Sequence, residues 1–470
     1  MSKTSTPEIH TFAGAYYSKR HLDAAQYFRP GVSLESLTTL AKLNVPGMET
    51  VAAGHDYMSM VRNVRGDERQ LLLGVADGHG DKERGHYHSY VATRLLANLL
   101  IGFWPIYQLH LKNSLGGDMT STRKITQLTE YCYEETQRMM TSPDFPSIDR
   151  YSGTTMSMAL VIVVGDQRHL ISTNAGDSQI IWSDDDTPYQ ECSMDHNCDN
   201  IQAVQGYATR LAAMRRPLQT QLDALDVKDM TTNTTRAELE EQIRTLLPRN
   251  VYYNRINCGQ VTWNQPEFLD SWGRPQPITV FKYLGPEQDQ VVLHQENYEK
   301  MSNYYPTGTQ SKRLPDTYVR EDGRTVAVPG KEADNWGSTL LGGPQTLHGL
   351  GDQQHSSHHS CLPHVSVTPI NKKGRLLIAT DGLTDLFYFA DLMKWFADHE
   401  TDPDLVDNFY QHLWTTANGD PAYPTVVLDG VTYPRWDDVG GMLVRFPDMK
   451  LDNRSLSHIG LHLLKTAQGE

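Results

Sequence analysis

Five turns of this 470-residue sequence place a carboxylate where an apolar run begins or ends. They are His55 with Asp56, the stretch DGHGD at 77–81, AGDS at 175–178, DGLTD at 381–385 and WDDVGG at 436–441. One Asp-Gly pair is an ordinary turn signal; five acidic turns at the ends of strand-like runs are not. Buried carboxylates brought together repel one another and take up protons unless a cation neutralises them. Oxygen donors without Cys or His spacing select hard ions such as Mg²⁺ or Mn²⁺ over zinc. Two such ions sharing a bridging carboxylate can activate a water for in-line attack on a phosphoryl group. Gly78, beside Asp77, lets a backbone carbonyl approach an ion closely. His79, of a residue type that titrates near neutrality, could donate a proton to the leaving oxygen.

The elements that would position these groups can be read from periodicity. Residues 55–64 and 71–76 read as two strands joined by the turn RGDERQ. A helix follows at about 87–100, and Ile125, Leu128, Cys132 and Met139 mark a second over 122–140. Three β-rich runs, 151–165, 169–183 and 374–383, end in Gly and Asp turns. Helices are expected at 236–247, 390–399 and 405–416, and a last strand at 440–446. Strands in blocks with helices outside them predict an α+β protein of mostly antiparallel sheets, not an alternating βαβ fold.

Composition narrows the function. Hydrophobic residues at 39% and charged ones at 21% allow a buried core. The net charge of -15 argues against phosphate-backbone recognition as the main task, so no nucleic-acid partner is expected. Five cysteines without a CxxC pair fit a reducing compartment, and the polar start MSKTSTPEIH lacks the apolar stretch of a secretory signal. The most apolar segment, 91–111, is interrupted by Arg94, Asn98, Pro105 and His110 and reads as buried helix, not a membrane span. A cytoplasmic protein without a membrane partner is the expectation.

An ordered series of motifs resembles the metal-dependent protein serine/threonine phosphatases of the 2C (PPM) family. DGHG at 77–80, SGTT at 152–155, TNAGDSQ at 173–179, MDHN at 194–197, RINCGQV at 255–261, GLGD at 349–352, IATDGLTDLF at 378–387 and DDVGGMLV at 437–444 follow that family's order. The resemblance implies a four-layer αββα sandwich, two antiparallel sheets between helices. On that pattern residues 1–49 lead into the first sheet and 50–450 form the catalytic domain. Insertions fall at about 206–250 and 262–335, and 451–470 are a tail.

The resemblance also implies roles. Asp77 would bridge two Mg²⁺ or Mn²⁺ ions, Gly78 would offer its carbonyl, and Asp381 and Asp437 would complete one ion's shell. Asp56 would hold the other ion or its water, while Asp177 and Asp385 match positions that bind a third ion in some members. His79 matches the general acid, and His55 and Asp438 are expected beside the ligands. The implied substrate is a phosphoserine or phosphothreonine protein, attacked directly by the metal-activated water with no phosphoenzyme. The insertion, 206–335, is a candidate partner surface.

A missing upstream Arg, His55 and the long insertion favour a second reading, a weak or silent phosphatase-like scaffold acting as a regulatory binding module, while the other departures leave the ligand carboxylates in place. His55 replaces the usual acidic or amide residue, and PGMETVAAGHD lacks the phosphate-binding Arg of many members. Gln179 replaces the Arg of GDSR, and Gly440 with Gly441 replaces a hydroxyl and β-branched pair. Two other signals are discounted. Cys132 and Arg138 have C-x5-R spacing, but the intervening YEETQ is helical and acidic, the wrong setting for a nucleophilic thiolate. HSSHHSCLPH at 355–364 matches no standard metal spacing.

Overall fold

The computed structural model describes residues 7–14, 43–80, 84–115, 119–142, 152–197, 200–225, 233–248, 251–253, 278–285, 291–293, 317–319, 325–327, 338–340, 346–352, 358–384, 387, 389–419, 425–428, 431–434 and 438–448. Its central strands owe their form to apolar residues that alternate between two buried faces. In β4 (Leu71–His79), Leu71, Leu73 and Val75 enter one core while Leu72 and Ala76 enter another. In β6 (Met156–Val164), Ala159 and Val161 follow the first set and Met156, Leu160 and Ile162 the second. A period of two with both faces covered makes each strand a continuous hydrophobic run.

Both main sheets are antiparallel. The first orders β2 (Met48–Ala53), β3 (Asp56–Arg62), β4, β6, β7 (Gln167–Ala175) and β11 (His364–Pro369). The short β5 (Gly153–Thr154) pairs with the end of β4, and β10 (Leu350–Gly351) pairs with β5. The second sheet orders β1 (Glu8–Gly14), β13 (Val439–Phe446), β12 (Gly374–Ala379), β8 (Gln179–Asp184) and β9 (Gln190–Glu191).

Three cores separate four layers. The core between the sheets joins Met58, Leu73, Val161, Ile180, Trp182, Ile378, Val444 and Phe446. The outer face of the first sheet packs against α1 (Arg84–Gly102), α2 (Trp104–Leu115) and α3 (Met119–Met140) through Tyr90, Leu96, Trp104, Tyr107 and Tyr133. Against the outer face of the second lie α7 (Phe389–Asp398) and α8 (Leu405–Gly419), beyond the short α6 (Asp381–Thr384). In α7, Phe389, Leu392, Met393 and Phe396 make the i, i+3, i+4, i+7 stripe of an amphipathic helix. This is the expected αββα sandwich.

Two expectations need correction. The apolar stretch 91–111 spans two helices that meet at Phe103, before Pro105; among the described residues no helix is long and apolar enough to cross a membrane. The segment after 200, where a helix was expected only at 236–247, opens with the long helix α4 (Ile201–Asp223), followed by α5 (Asn233–Thr245). The buried stripe of α4 is Ala203, Val204, Tyr207, Ala208, Leu211 and Ala212. Alanines carry half of it, so its hydrophobic signal is weak although its period is helical. Asn200 caps it, its side chain accepting from the Gln202 amide at 2.9 Å.

The segment leading into α4 is joined to the strand segment around Leu347 beside the AGDS turn. His196 stacks on His348 with ring centroids 4.1 Å apart, and the Leu347 amide donates to the His196 carbonyl at 2.8 Å. His196 Nδ1 lies 3.0 Å from the carbonyl oxygen of Gly176. Burial holds the His196 pKa at about 3, and burial with the neighbouring His196 drives His348 well down too.

A histidine depressed by folding stabilises fully above its unfolded pKa of about 6.5 and loses that contribution as pH falls toward the folded value. Unfolding free energy should therefore decline as pH drops from about 6.5 toward about 3. In His196→Asn the slope should shrink by about 1.4 kcal/mol per pH unit in that window, measured by denaturant titration across pH. An unchanged slope would exclude His196 as a source of acid lability.

Candidate active site

The turn between β2 and β3 is two residues long, Gly54 and His55, because Ala53 pairs with Asp56. The register of β3 on β4 then sets Asp56 directly opposite Asp77. Like charges at opposed strand positions destabilise a sheet, and Asp56 is only 1% exposed. The backbone around Asp77 is fixed from β5 and the residue after it. Its amide donates to Thr155 Oγ1 at 3.0 Å, and its carbonyl accepts from the Thr155 amide at 2.8 Å and the Thr154 hydroxyl at 2.9 Å. Gly78 pairs with Thr154, and its amide donates to the His55 carbonyl at 3.3 Å.

The second sheet delivers its carboxylates to the same place. Beyond the end of β12, the fully buried Thr380 donates its hydroxyl to Asp56 Oδ2 at 2.6 Å and accepts from the Gly440 amide at 2.9 Å. A Cβ on Gly440 would lie 3.0 Å from Asp56 Oδ2. Glycine at 440 thus leaves room for the carboxylate, and Thr380 supplies a hydroxyl there. Asp381 opens α6 next to Thr380. Asp438, 3% exposed, accepts from the His55 amide at 3.0 Å, so His55 meets the site through its backbone.

His79 ends β4 and meets a residue absent from the sequence-based site. Its Nε2 lies 2.9 Å from both carboxylate oxygens of Asp352, 273 positions along the chain. Asp352 is 2% exposed and sits in the left-handed region at φ 48°. Burial alone would raise its pKa, yet the charges of His79 and His359 and the hydrogen bond from His79 hold it at about 2. Burial also disfavours charge on His79, but Asp352, then Asp177 and Asp381, outweigh it and raise the imidazole pKa. A Cβ on Gly153 would overlap Asp352 Oδ2 and lie 2.7 Å from His79 Nε2. The SGTT motif therefore needs its glycine because this pair packs on its backbone. The GLGD motif was the available signal for Asp352; nothing local tied it to His79.

The structure thus gathers His55, Asp56, Asp77, Gly78, His79, Asp381 and Asp438 where the two sheets converge, with Asp177 within electrostatic reach of His79. Asp437 and Asp385 lie outside the described residues. Among the described residues no three of His, Cys, Asp and Glu close tightly enough to hold an ion. Gln179 turns inward, 1% exposed, donating to the Asp177 carbonyl at 2.7 Å and accepting from the Ser193 hydroxyl at 2.9 Å. It does not take over the role of an arginine. Burial pushes the Cys132 thiol to about 12, which rules out a thiolate nucleophile near neutrality. In the histidine-rich loop His358 meets the Tyr207 hydroxyl at 2.8 Å and His359 faces Asp352 at 3.7 Å, so they serve two different places.

Residues 48–202 match the family model "Protein phosphatase 2C". No curated protein matches the sequence. Among solved structures, the serine-threonine phosphatase 2C from Toxoplasma gondii is similar at 12% identity and TM-score 0.41, over 94% of this chain and 99% of that one. A C. elegans sex determining protein is similar at 12% identity and TM-score 0.41, over 86% of this chain and 65% of that one. The Mycobacterium tuberculosis serine/threonine phosphatase PstP/Ppp is similar at 10% identity and TM-score 0.35, over 94% and 98%. The matched residues carry β2 to β9, including the opposed Asp56 and Asp77, so over this stretch the chain is similar to protein phosphatase 2C.

Proposed function

We propose that the protein removes phosphate from phosphoserine or phosphothreonine side chains of proteins with the help of divalent metal ions. The observation that carries this reading is the direct opposition of Asp56 and Asp77, with Thr380 drawing the second sheet onto the same carboxylate. A site built to be this negative suits divalent cations, and its all-oxygen carboxyl donors suit Mg²⁺ or Mn²⁺. Asp77, the Gly78 carbonyl, Asp381 and Asp437 would hold two ions, with Asp56 as a further ligand or the acceptor that fixes one. Asp177 and Asp385 would serve a third. His55 and Asp438 support that shell through the His55 amide.

When bound, the ions would supply charge neutralisation for the phosphoryl oxygens and a water of lowered pKa. The protein's own groups do the rest. His79, held by Asp352, offers a proton to the departing serine or threonine oxygen. Thr380 keeps Asp56 in place by a hydrogen bond inside a fully buried layer, where a charged partner strengthens it. The second reading, a binding module without turnover, is favoured by the inward Gln179, which provides no cation for the phosphate.

Two outcomes are expected. Hydrolysis of p-nitrophenyl phosphate should require Mn²⁺ or Mg²⁺, stop with a chelator, and fall by roughly 10²-fold or more in Asp77→Asn and Asp381→Ala. Ion binding by calorimetry with no turnover of any phosphopeptide would instead establish the module. Gly153→Ala should displace His79 and Asp352 and lower kcat by roughly 10²-fold while ion affinity stays within a few-fold of the parent. Equal loss of ion affinity would refute the assignment of Gly153 to the His79 side of the site.

A further inference from the structure

Two consecutive residues of the GLGD turn, Gly351 at φ 97° and Asp352 at φ 48°, occupy the left-handed region. Glycine adopts it freely; aspartate tolerates it at some cost, and here the pairing on both sides holds it there. One edge of β10 is paired: Leu350 with Thr154 and Gly351 with Gly153. Beyond it, the Asp352 amide donates to the Ser152 carbonyl at 3.0 Å. On the other side a helix side chain stands in for a strand. Gln137, partly exposed on α3, donates from Nε2 to the Gly351 carbonyl at 2.8 Å and accepts from the Gly351 amide on Oε1 at 2.7 Å. The primary amide thereby makes both hydrogen bonds a neighbouring strand would make.

We propose that Gln137 is a positioning residue for phosphoester hydrolysis, clamping Gly351 so that the Asp352 carboxylate meets His79. The proposal rests on the phosphatase reading above. Among the described residues the Gln137 side chain hydrogen-bonds to no candidate metal ligand; it acts through Gly351 and Asp352. Orientation by a supporting shell of this kind is what keeps a reacting group within its productive geometry, and small displacements there are costly in rate. The chain of contacts is short: α3 side chain, β10 backbone, Asp352 carboxylate, His79 ring.

The test compares the parent with Gln137→Met, equal in length but unable to make either bond, and with Gln137→Ala, on phenyl phosphate and p-nitrophenyl phosphate in Mn²⁺. Phenolate leaves poorly without a proton, whereas p-nitrophenolate departs readily. The expected result is a roughly tenfold or larger fall in kcat on phenyl phosphate with KM unchanged, and a much smaller fall on p-nitrophenyl phosphate. In an Asp352→Asn background the same substitution should add nothing. In metal-free protein labelled with ¹⁵N-histidine, the His79 Nε2 resonance, assigned by its loss in His79→Asn, should shift in Gln137→Met. Equal losses on both substrates, a loss that persists in Asp352→Asn, or an unmoved His79 resonance would overturn the proposal. Should Gln137→Met not fold, Gln137→Ala on its partly exposed helix position gives the same comparison. An inactive parent protein would sink the phosphatase reading and this proposal together, whereas an active parent indifferent to Gln137 sinks only the proposal.

Discussion

Two carboxylates placed opposite each other across neighbouring strands are a standing electrostatic cost, and the architecture of this protein is organised around Asp56 and Asp77. A solvent-exposed pair would be screened. Here Asp56 is buried under a second sheet, so the cost must be met locally. Thr380 meets part of it by hydrogen bonding to Asp56 Oδ2, and because Thr380 also pairs with Gly440, that single hydroxyl ties the ends of three strands together. The sandwich then serves as a vice: alternating apolar residues of β4 and β6 lock the register, and a one-residue slip would move every one of them to the wrong core.

The same logic explains why the motifs are rich in small residues. Gly153 and Gly440 are not turns for their own sake. The first leaves space for the His79 and Asp352 pair, and the second for the Asp56 carboxylate. His196, ahead of α4, bridges the AGDS turn to the strand segment around Leu347 with a neutral imidazole. The join between the start of α4 and the Leu347 segment therefore sits next to Asp177 and is made by histidines that burial keeps neutral.

What could be read from the sequence followed the range of the interactions. The acidic turns and the strands that carry them are local patterns, a period-two run ending in Asp and Gly, so β3, β4, β6, β7, β12 and β13 were legible. The stripes of α3, α7 and α8 were legible for the same reason. Asp352 was not, because its meaning lies in a contact with His79 from a distant part of the chain, and neither residue's neighbours announce the other. Helix α4 was missed on composition: Ala203, Ala208 and Ala212 occupy its buried stripe, and Pro217 within it reads as a breaker. Gln137 gave no signal at all, since a polar residue on an amphipathic helix is the ordinary case.

The departures from the family pattern sort by what each side chain touches. Gly440 lacks a hydroxyl and leaves room for Asp56, which accepts a hydrogen bond from Thr380 of the neighbouring strand end. Gln179 lacks a guanidinium, and its amide instead closes a neutral network with the Asp177 carbonyl and Ser193, so the turn survives but no cation is offered outward. His55 contributes through its amide and carbonyl, which any residue would provide. The groups that gather charge are thus retained or replaced in kind, while those that would grip a phosphate by a fixed positive charge are replaced by neutral ones. In the reading proposed here, substrate phosphate is then held by the bound ions themselves, with affinity set by how negative the strand ends leave the site and not by an arginine at its rim.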